Sequence, residues 1–294
     1  MNLSEFISSG DRIILIDGAM GTQLAEKGLE MGASNNLTHP DAVLEIHRQY
    51  VDCGVDFVTT NTFTLNRANM EFHKSTLDVR EANLAGVRLA RHAAGKDRYI
   101  LGDMGPTGKM LKPYGPLPEN EAYESFREQA AILAEGGVDG FIIETMFELK
   151  EALIAVRACK DASGLPVIAS MTFNTLVGGG KTVMGNSAKD CVAALTEAGV
   201  SAVGTNCGNL DPFQIAEIVV VMSGNTALPI VAQPNAGKPQ FVDNRTFFTM
   251  SPAEFAEGVA ECIKAGARLV GGCCGTSPAH IRALAEKLAE FRLS

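Results

Sequence analysis

Apolar residues along this chain fall in eight short runs bounded by Gly, Pro, Asn or Asp. They are IILIDGA from Ile13, VDFVTTNTF from Val55, YILGDMG from Tyr99, VDGFIIET from Val138, PVIASMTF from Pro166, SAVGTNC from Ser201, PIVAQPN from Pro229 and RLVGGCC from Arg268. Short runs rich in Val, Ile and Phe predict buried strands. Between them apolar positions recur at helical spacing among good helix formers, which predicts helices over Asp41–Cys53, Leu77–Ala94, Glu119–Gly136, Glu148–Ser163, Ala188–Ala198 and Pro252–Gly266. Successive strands start about 28 to 44 residues apart, the interval needed for a strand, a helix and two loops.

The helix ends carry a repeated signal. In CGVDF, GGVDG, AGVSA and AGARL a glycine stands where a helix C-terminus calls for a left-handed residue, just before a strand. Eight alternating units predict a single-domain (β/α)8 TIM barrel spanning residues 1–294, with a doubly wound open sheet as the alternative. No G-x-G-x-x-G follows the first strand of either half, which favours the barrel. No Pro- or Ser-rich linker marks a second domain.

Chemistry in such a barrel belongs at the carboxyl ends of the strands. Those ends are polar or reactive here: Asp17, Asn61, Asp103, Glu144, Thr172, Asn206 with Cys207, Asn235, and Cys273 with Cys274. Each alone could be a turn former or a cap, but so many at one rim point to a site. Cys207 ends the sixth strand, and Cys273 with Cys274 ends the eighth, so one barrel mouth can gather three thiols. Three cysteine ligands and an open fourth position describe a catalytic zinc site. The glycines of GGCCGT let the backbone come close there. Cys53, Cys159, Cys191 and Cys262 fall within helical segments and read as core filler. The five histidines form no H-x-x-x-H or H-E-x-x-H spacing.

Composition narrows the partners. The 294 residues are 46% hydrophobic and carry a net charge of −9, which fits a soluble globule and disfavours nucleic acid and anionic membranes. No apolar run approaches the roughly 20 residues of a membrane span, and the N-terminus lacks a signal-peptide pattern. A cytoplasmic location is therefore expected, where thiols stay reduced and clustered cysteines bind metal or react.

The motifs DGAMGTQL (Asp17–Leu24), TTNTF, GDMGPTG, the pair Glu144 and Thr145, NCG, QPNAGKP and GGCCGT occur in this order along nearly the whole chain. Together they resemble the homocysteine-binding domain of zinc-dependent homocysteine S-methyltransferases, and within that family the N-terminal module of cobalamin-dependent methionine synthase. The resemblance implies a (β/α)8 barrel in which Cys207, Cys273 and Cys274 bind Zn2+ and homocysteine is methylated to methionine. It also implies that Glu144 receives the substrate ammonium and that the backbone N–H groups of Gly18 and Ala19 cradle the carboxylate. Asp17 is expected to fix that turn or to assist at the ammonium, and Asn235 to orient substrate or fill the vacant ligand position.

The resemblance leaves the methyl donor to be argued. The sequence shows no corrinoid-binding motif after the last predicted barrel element, so the expected donor is methylcobalamin or a related methylated corrinoid on a separate protein. The NTF and GPTG segments resemble the cobalamin-dependent branch. S-methylmethionine and betaine are the alternatives, although a betaine cage calls for aromatic residues and this chain has no Trp and four Tyr. A different thiol acceptor, or a non-catalytic zinc or amino-acid binding subunit of a methyltransferase complex, are the other readings.

Overall fold

The computed structural model describes residues 2–9, 12–242 and 245–291. Eight parallel strands line up as β1 (Ile14–Leu15), β2 (Phe57–Thr59), β3 (Tyr99–Met104), β4 (Gly140–Met146), β5 (Val167–Met171), β6 (Ala202–Asn206), β7 (Ile230–Gln233) and β8 (Ala267–Val270). Their order in the sheet is β1-β8-β7-β6-β5-β4-β3-β2. A parallel bridge between Ile16 and Phe57 brings β1 against β2 and completes the ring. This is the expected (β/α)8 barrel, and the open doubly wound sheet is set aside.

Each strand is followed by a helix packed on the outside: Pro40–Val51, Val79–Ala94, Glu119–Gly136, Leu149–Ala162, Ala188–Glu197, Pro212–Ser223, Pro252–Lys264 and Pro278–Phe291. The six that the spacing predicts end within a residue or two of their expected limits. All four glycines singled out at helix ends, Gly54, Gly137, Gly199 and Gly266, have positive φ. That backbone costs glycine nothing and strains other residues.

Two apolar layers divide the core. Inside the ring, Ile16, Phe57, Leu101, Ile142, Ile168 and Leu269 meet from six different strands or their ends. Beneath them the short helix Leu3–Ser8 plugs the amino end of the barrel with Leu3 and Ile7. Gly140 makes room for this plug, because a Cβ there would lie 2.5 Å from Leu3. Outside the ring, the helices lay their apolar stripes on the other face of the strands.

The β1–β2 seam has its own polar fastening. Asp56 N–H donates to the Leu15 carbonyl at 2.7 Å, and the Asp56 carboxylate accepts from the Leu15 N–H at 2.9 Å. Arg12 pairs with the same carboxylate. Between β7 and β8 an antiparallel hairpin, Gln240–Val242 with Arg245–Phe247, projects from the rim. Its strands are three residues each, too short for an alternation signal to stand out in the sequence. Among the described residues no helix is long and apolar enough to cross a membrane.

Candidate metal centre and substrate cavity

The carboxyl ends of the strands enclose a cavity of about 260 Å³. Its walls include Asp17 after β1, Asp103 in β3, Glu144 in β4, Cys207 after β6, and Cys273 with Cys274 after β8. Of the strand-end residues picked out from the sequence, Asp17, Asn61, Asp103, Glu144, Cys207, Cys273 and Cys274 line this space, whereas Thr172, Asn206 and Asn235 lie behind its wall.

The three cysteine sulfurs all lie within 4.8 Å of one another. Cys207 Sγ stands 3.9 Å from Cys274 Sγ. Sulfurs each about 2.3 Å from one tetrahedral zinc stand about 3.8 Å apart, so the donor set fits that ion in both chemistry and spacing. All three cysteines are partly exposed, whereas Cys53, Cys159, Cys191 and Cys262 are buried. Burial pushes the Cys191 thiol up to about 12, as suits inert packing. In the cluster, thiol hydrogen bonds from Cys273 and Cys274 hold Cys207 well below the usual thiol range. The same contacts with Cys207 push Cys273 up, and Cys274 up to about 12. Without a cation, Cys273 and Cys274 thus retain protons around a Cys207 thiolate, and zinc would displace them.

Local backbone brings the sulfurs together. Gly271 and Gly272 let β8 run close to β1: a Cβ on Gly271 would meet the Asp17 carbonyl at 2.8 Å, and one on Gly272 would meet Thr276 Oγ1 at 2.5 Å. Thr276 Oγ1 donates to the Cys273 carbonyl at 2.7 Å and accepts from the Ala19 N–H at 3.0 Å, tying the cysteine turn to the loop after β1. On the other side Cys207 has φ of +57°, a conformation that costs a non-glycine residue about 1–3 kcal/mol.

Asn206 is the hub between the cysteines and Glu144. Its side-chain amide donates to Glu144 Oε2 at 2.6 Å and to Thr145 Oγ1 at 2.8 Å, and approaches Cys273 Sγ at 3.7 Å. Its Oδ1 accepts from the Thr145 N–H at 2.8 Å. Thr145 is also held at φ of +57°, unusual for a β-branched residue, and the Asn206 bonds fix it there. Asn235 is buried, and its Nδ2 donates to the Gly208 carbonyl at 2.9 Å, beside Cys207. Its Oδ1 finds no protein donor.

Three carboxyl groups share the cavity, and among the described residues no Lys, Arg or His lines it. Both Asp17 oxygens accept from Thr59, one from its N–H and one from its hydroxyl, each at 2.9 Å. Asp17 thus pins the loop after β1 to β2. Burial pushes its carboxyl up to about 8. Burial, and then the Cys207 charge, push Glu144 up to about 7. Burial raises Asp103 well above the usual carboxylate range, and the neighbouring Glu144 adds to that rise. Of the two N–H groups expected to cradle a carboxylate, Ala19 has Thr276 as its partner. Sequence reasoning assigned no role to Asp103, Asn206 or Thr59, although Asp103 and Asn206 carried the strand-end signal.

A parallel barrel with a three-thiol mouth beside a buried carboxyl cluster defines a class of thiol-handling enzyme site. The family model for homocysteine S-methyltransferase matches residues 14–288, and the chain belongs to that family. Among curated relatives, methionine synthase of Mycobacterium tuberculosis (strain ATCC 25618 / H37Rv) is 33% identical over 96% of this chain and 25% of its own length. Methionine synthase of Mycobacterium leprae (strain TN) is 33% identical over 95% of this chain and 24% of its own length. The chain therefore spans about a quarter of the length of these relatives. Among solved structures, the homocysteine methyltransferase MmuM from Escherichia coli shares the fold. Its metallated form has a TM-score of 0.77 at 25% identity, covering 94% of this chain and 96% of that one. Its oxidised form has a TM-score of 0.80 at 24% identity, covering 97% of this chain and 100% of that one.

Proposed function

We propose that this chain is a zinc-dependent S-methyltransferase that methylates homocysteine to methionine, with the methyl group supplied by a methylated corrinoid on a separate protein. The observation that carries the reading is the set of three sulfurs within 4.8 Å at the mouth of an acidic cavity. Zinc held by Cys207, Cys273 and Cys274 supplies Lewis acidity that favours the thiolate of an incoming thiol near neutral pH, where a free thiol is mostly protonated.

The remaining work falls to the protein. Glu144, fixed by Asn206 and Thr145, receives the substrate ammonium. The Gly18 N–H faces the substrate carboxylate, and Ala19 joins it only by leaving Thr276. Asp17 holds this loop against β2 through Thr59. Asn235 steadies the Cys207–Gly208 turn from behind the cavity wall. Anchored at both ends of its amino-acid part, the substrate is left with its sulfur at the cysteines, where the methyl donor enters from the rim.

The corrinoid donor rests on the motifs TTNTF and GDMGPTG. A betaine donor is disfavoured because Phe63 is the one aromatic residue lining the described cavity. The central test is Cys273→Ser. Expected are loss of bound zinc and of methyl transfer with the barrel's circular dichroism retained; unchanged zinc content would overturn the ligand assignment. Assays with methylcobalamin, S-methylmethionine and betaine then distinguish the donors, and turnover with S-methylmethionine alone would sink the corrinoid reading.

A further inference from the structure

Gln233 is a polar side chain of the cavity that the protein leaves without a partner. It ends β7, and because Val231 faces the interior of the ring, Gln233 two residues on shares that face. It is 3% exposed and lines the cavity, yet its Oε1 is buried with no donor. The side-chain amide makes no hydrogen bond among the described residues. A buried amide without partners carries a cost unless a ligand satisfies it.

The position of β7 in the ring determines which part of a ligand Gln233 meets. β7 lies between β6, which leads to Cys207, and β8, which leads to Cys273 and Cys274. The Gln233 carbonyl accepts from the Cys207 N–H at 3.3 Å, and the Pro234 carbonyl accepts from the Cys273 N–H at 2.9 Å. The Ala236 N–H in turn donates to the Cys274 carbonyl at 3.0 Å. The end of β7 is thus bonded to both cysteine turns, and the Gln233 amide stands on the sulfur side of the cavity. Among the described lining residues the other side-chain amide is Asn61, whose Nδ2 is committed to Asn36 Oδ1 at 3.0 Å and to the Gly32 carbonyl at 3.4 Å. With no Lys, Arg or His among them, Gln233 is the side-chain N–H donor left for a ligand.

We propose that the Gln233 amide donates a hydrogen bond to the sulfur of the bound thiol and makes the site hold a thiolate in preference to the thioether formed from it. This rests on the thiol-methylating function proposed above. A thiolate is a charged acceptor and a thioether sulfur a weak one, so the bond is largely lost as the sulfur is methylated. Removing a hydrogen bond to a charged group corresponds to roughly 10- to 100-fold in affinity. The sulfur gives up charge on the way to the transition state, so the bond favours the ground state more. Without it KM should rise and kcat should not fall.

The test uses the zinc-loaded full chain and three ligands. Homocysteine is compared with 4-mercaptobutyrate, which keeps the sulfur but lacks the amino group, and with methionine, which keeps the amino group but carries the methylated sulfur. Gln233→Met has nearly the same length and no side-chain N–H. It should keep its zinc, bind both thiols roughly 10- to 100-fold more weakly in calorimetric titration, and leave the inhibition constant of methionine unchanged. Gln233→Glu, which loses the donors and adds a carboxylate, should bind the thiols no better than Gln233→Met. Unchanged thiol affinity, loss confined to homocysteine, equal loss for methionine, a fall in kcat, or loss of zinc would each overturn the assignment while leaving the methyltransferase reading standing. A zinc-loaded wild type that takes up no homocysteine would overturn that reading and this one together.

Discussion

Asn206→Ala is the sharpest probe of how the site is held. Asn206 is fully buried, so none of its bonds is replaced by water in the folded wild type. Its two neutral hydrogen bonds with Thr145 contribute about 1 kcal/mol each, and its bond to the Glu144 carboxyl about 2 kcal/mol. Against this, Thr145 can relax from φ of +57°, recovering about 1 kcal/mol. The net loss is about 3 kcal/mol, which for a chain of 294 residues lowers the melting temperature by roughly 5 °C. Differential scanning calorimetry on metal-free protein reads this directly. Asn206→Asp serves as the second arm: it keeps the shape but removes the donors and sets a carboxylate against Glu144, so it should melt no higher than Asn206→Ala. A shift below about 2 °C for either variant would refute the role of Asn206 as the hub.

Further outcomes follow from other contacts. Gly275→Ala should destabilise the protein and loosen the cysteine turn, since Gly275 has φ of +78° and an added Cβ would lie 2.3 Å from Phe248; zinc affinity measured by competition should fall, and an unchanged value would count against that packing. Asp56→Ala should cost about 2 kcal/mol by releasing the Leu15 N–H and Arg12 at the seam, with urea unfolding as the measure and an unshifted midpoint as the contrary result. Asp17 gives a pH dependence. Its folded carboxyl lies near 8, above its usual 3.8, so the folded state holds the extra proton. The stabilising contribution is full below about pH 4 and is lost as pH rises through about 8. Asp17→Asn should flatten the fall in urea midpoint across that window relative to wild type, and parallel curves would show that Asp17 does not titrate there. Chelation should remove methyl transfer without unfolding the barrel; full activity in metal-stripped protein would count against the zinc reading.

Much of this architecture can be read from the chain because its signals are local. The eight apolar runs and the glycines at 54, 137, 199 and 266 each report on a strand or a helix end within a few residues. The cysteines were legible for a different reason: a parallel barrel places every strand's carboxyl end at one rim, so Cys207 and Cys273–Cys274 had to share a mouth. What the sequence does not reveal depends on who faces whom across the ring. Asn206 on β6 reaches Glu144 on β4, past the intervening β5, and Thr59 meets Asp17 only because the ring closes at the seam. Likewise, the Thr276 hydroxyl on the Ala19 N–H joins segments from opposite ends of the chain. Spacing along the sequence carries no record of such contacts.

The seam where β1 lies between β2 and β8 also bears on how the protein comes into being. Two of the three cysteines follow β8, and that strand finds its place by pairing Leu269 and Val270 with Ile14 and Leu15. The three thiols therefore come together only once the last strand has taken its place between β7 and β1. An ion held by all three sulfurs would then report a chain whose last strand is in place. A chain interrupted before β8 would keep Cys207 as a lone thiol, exposed to oxidation rather than to metal.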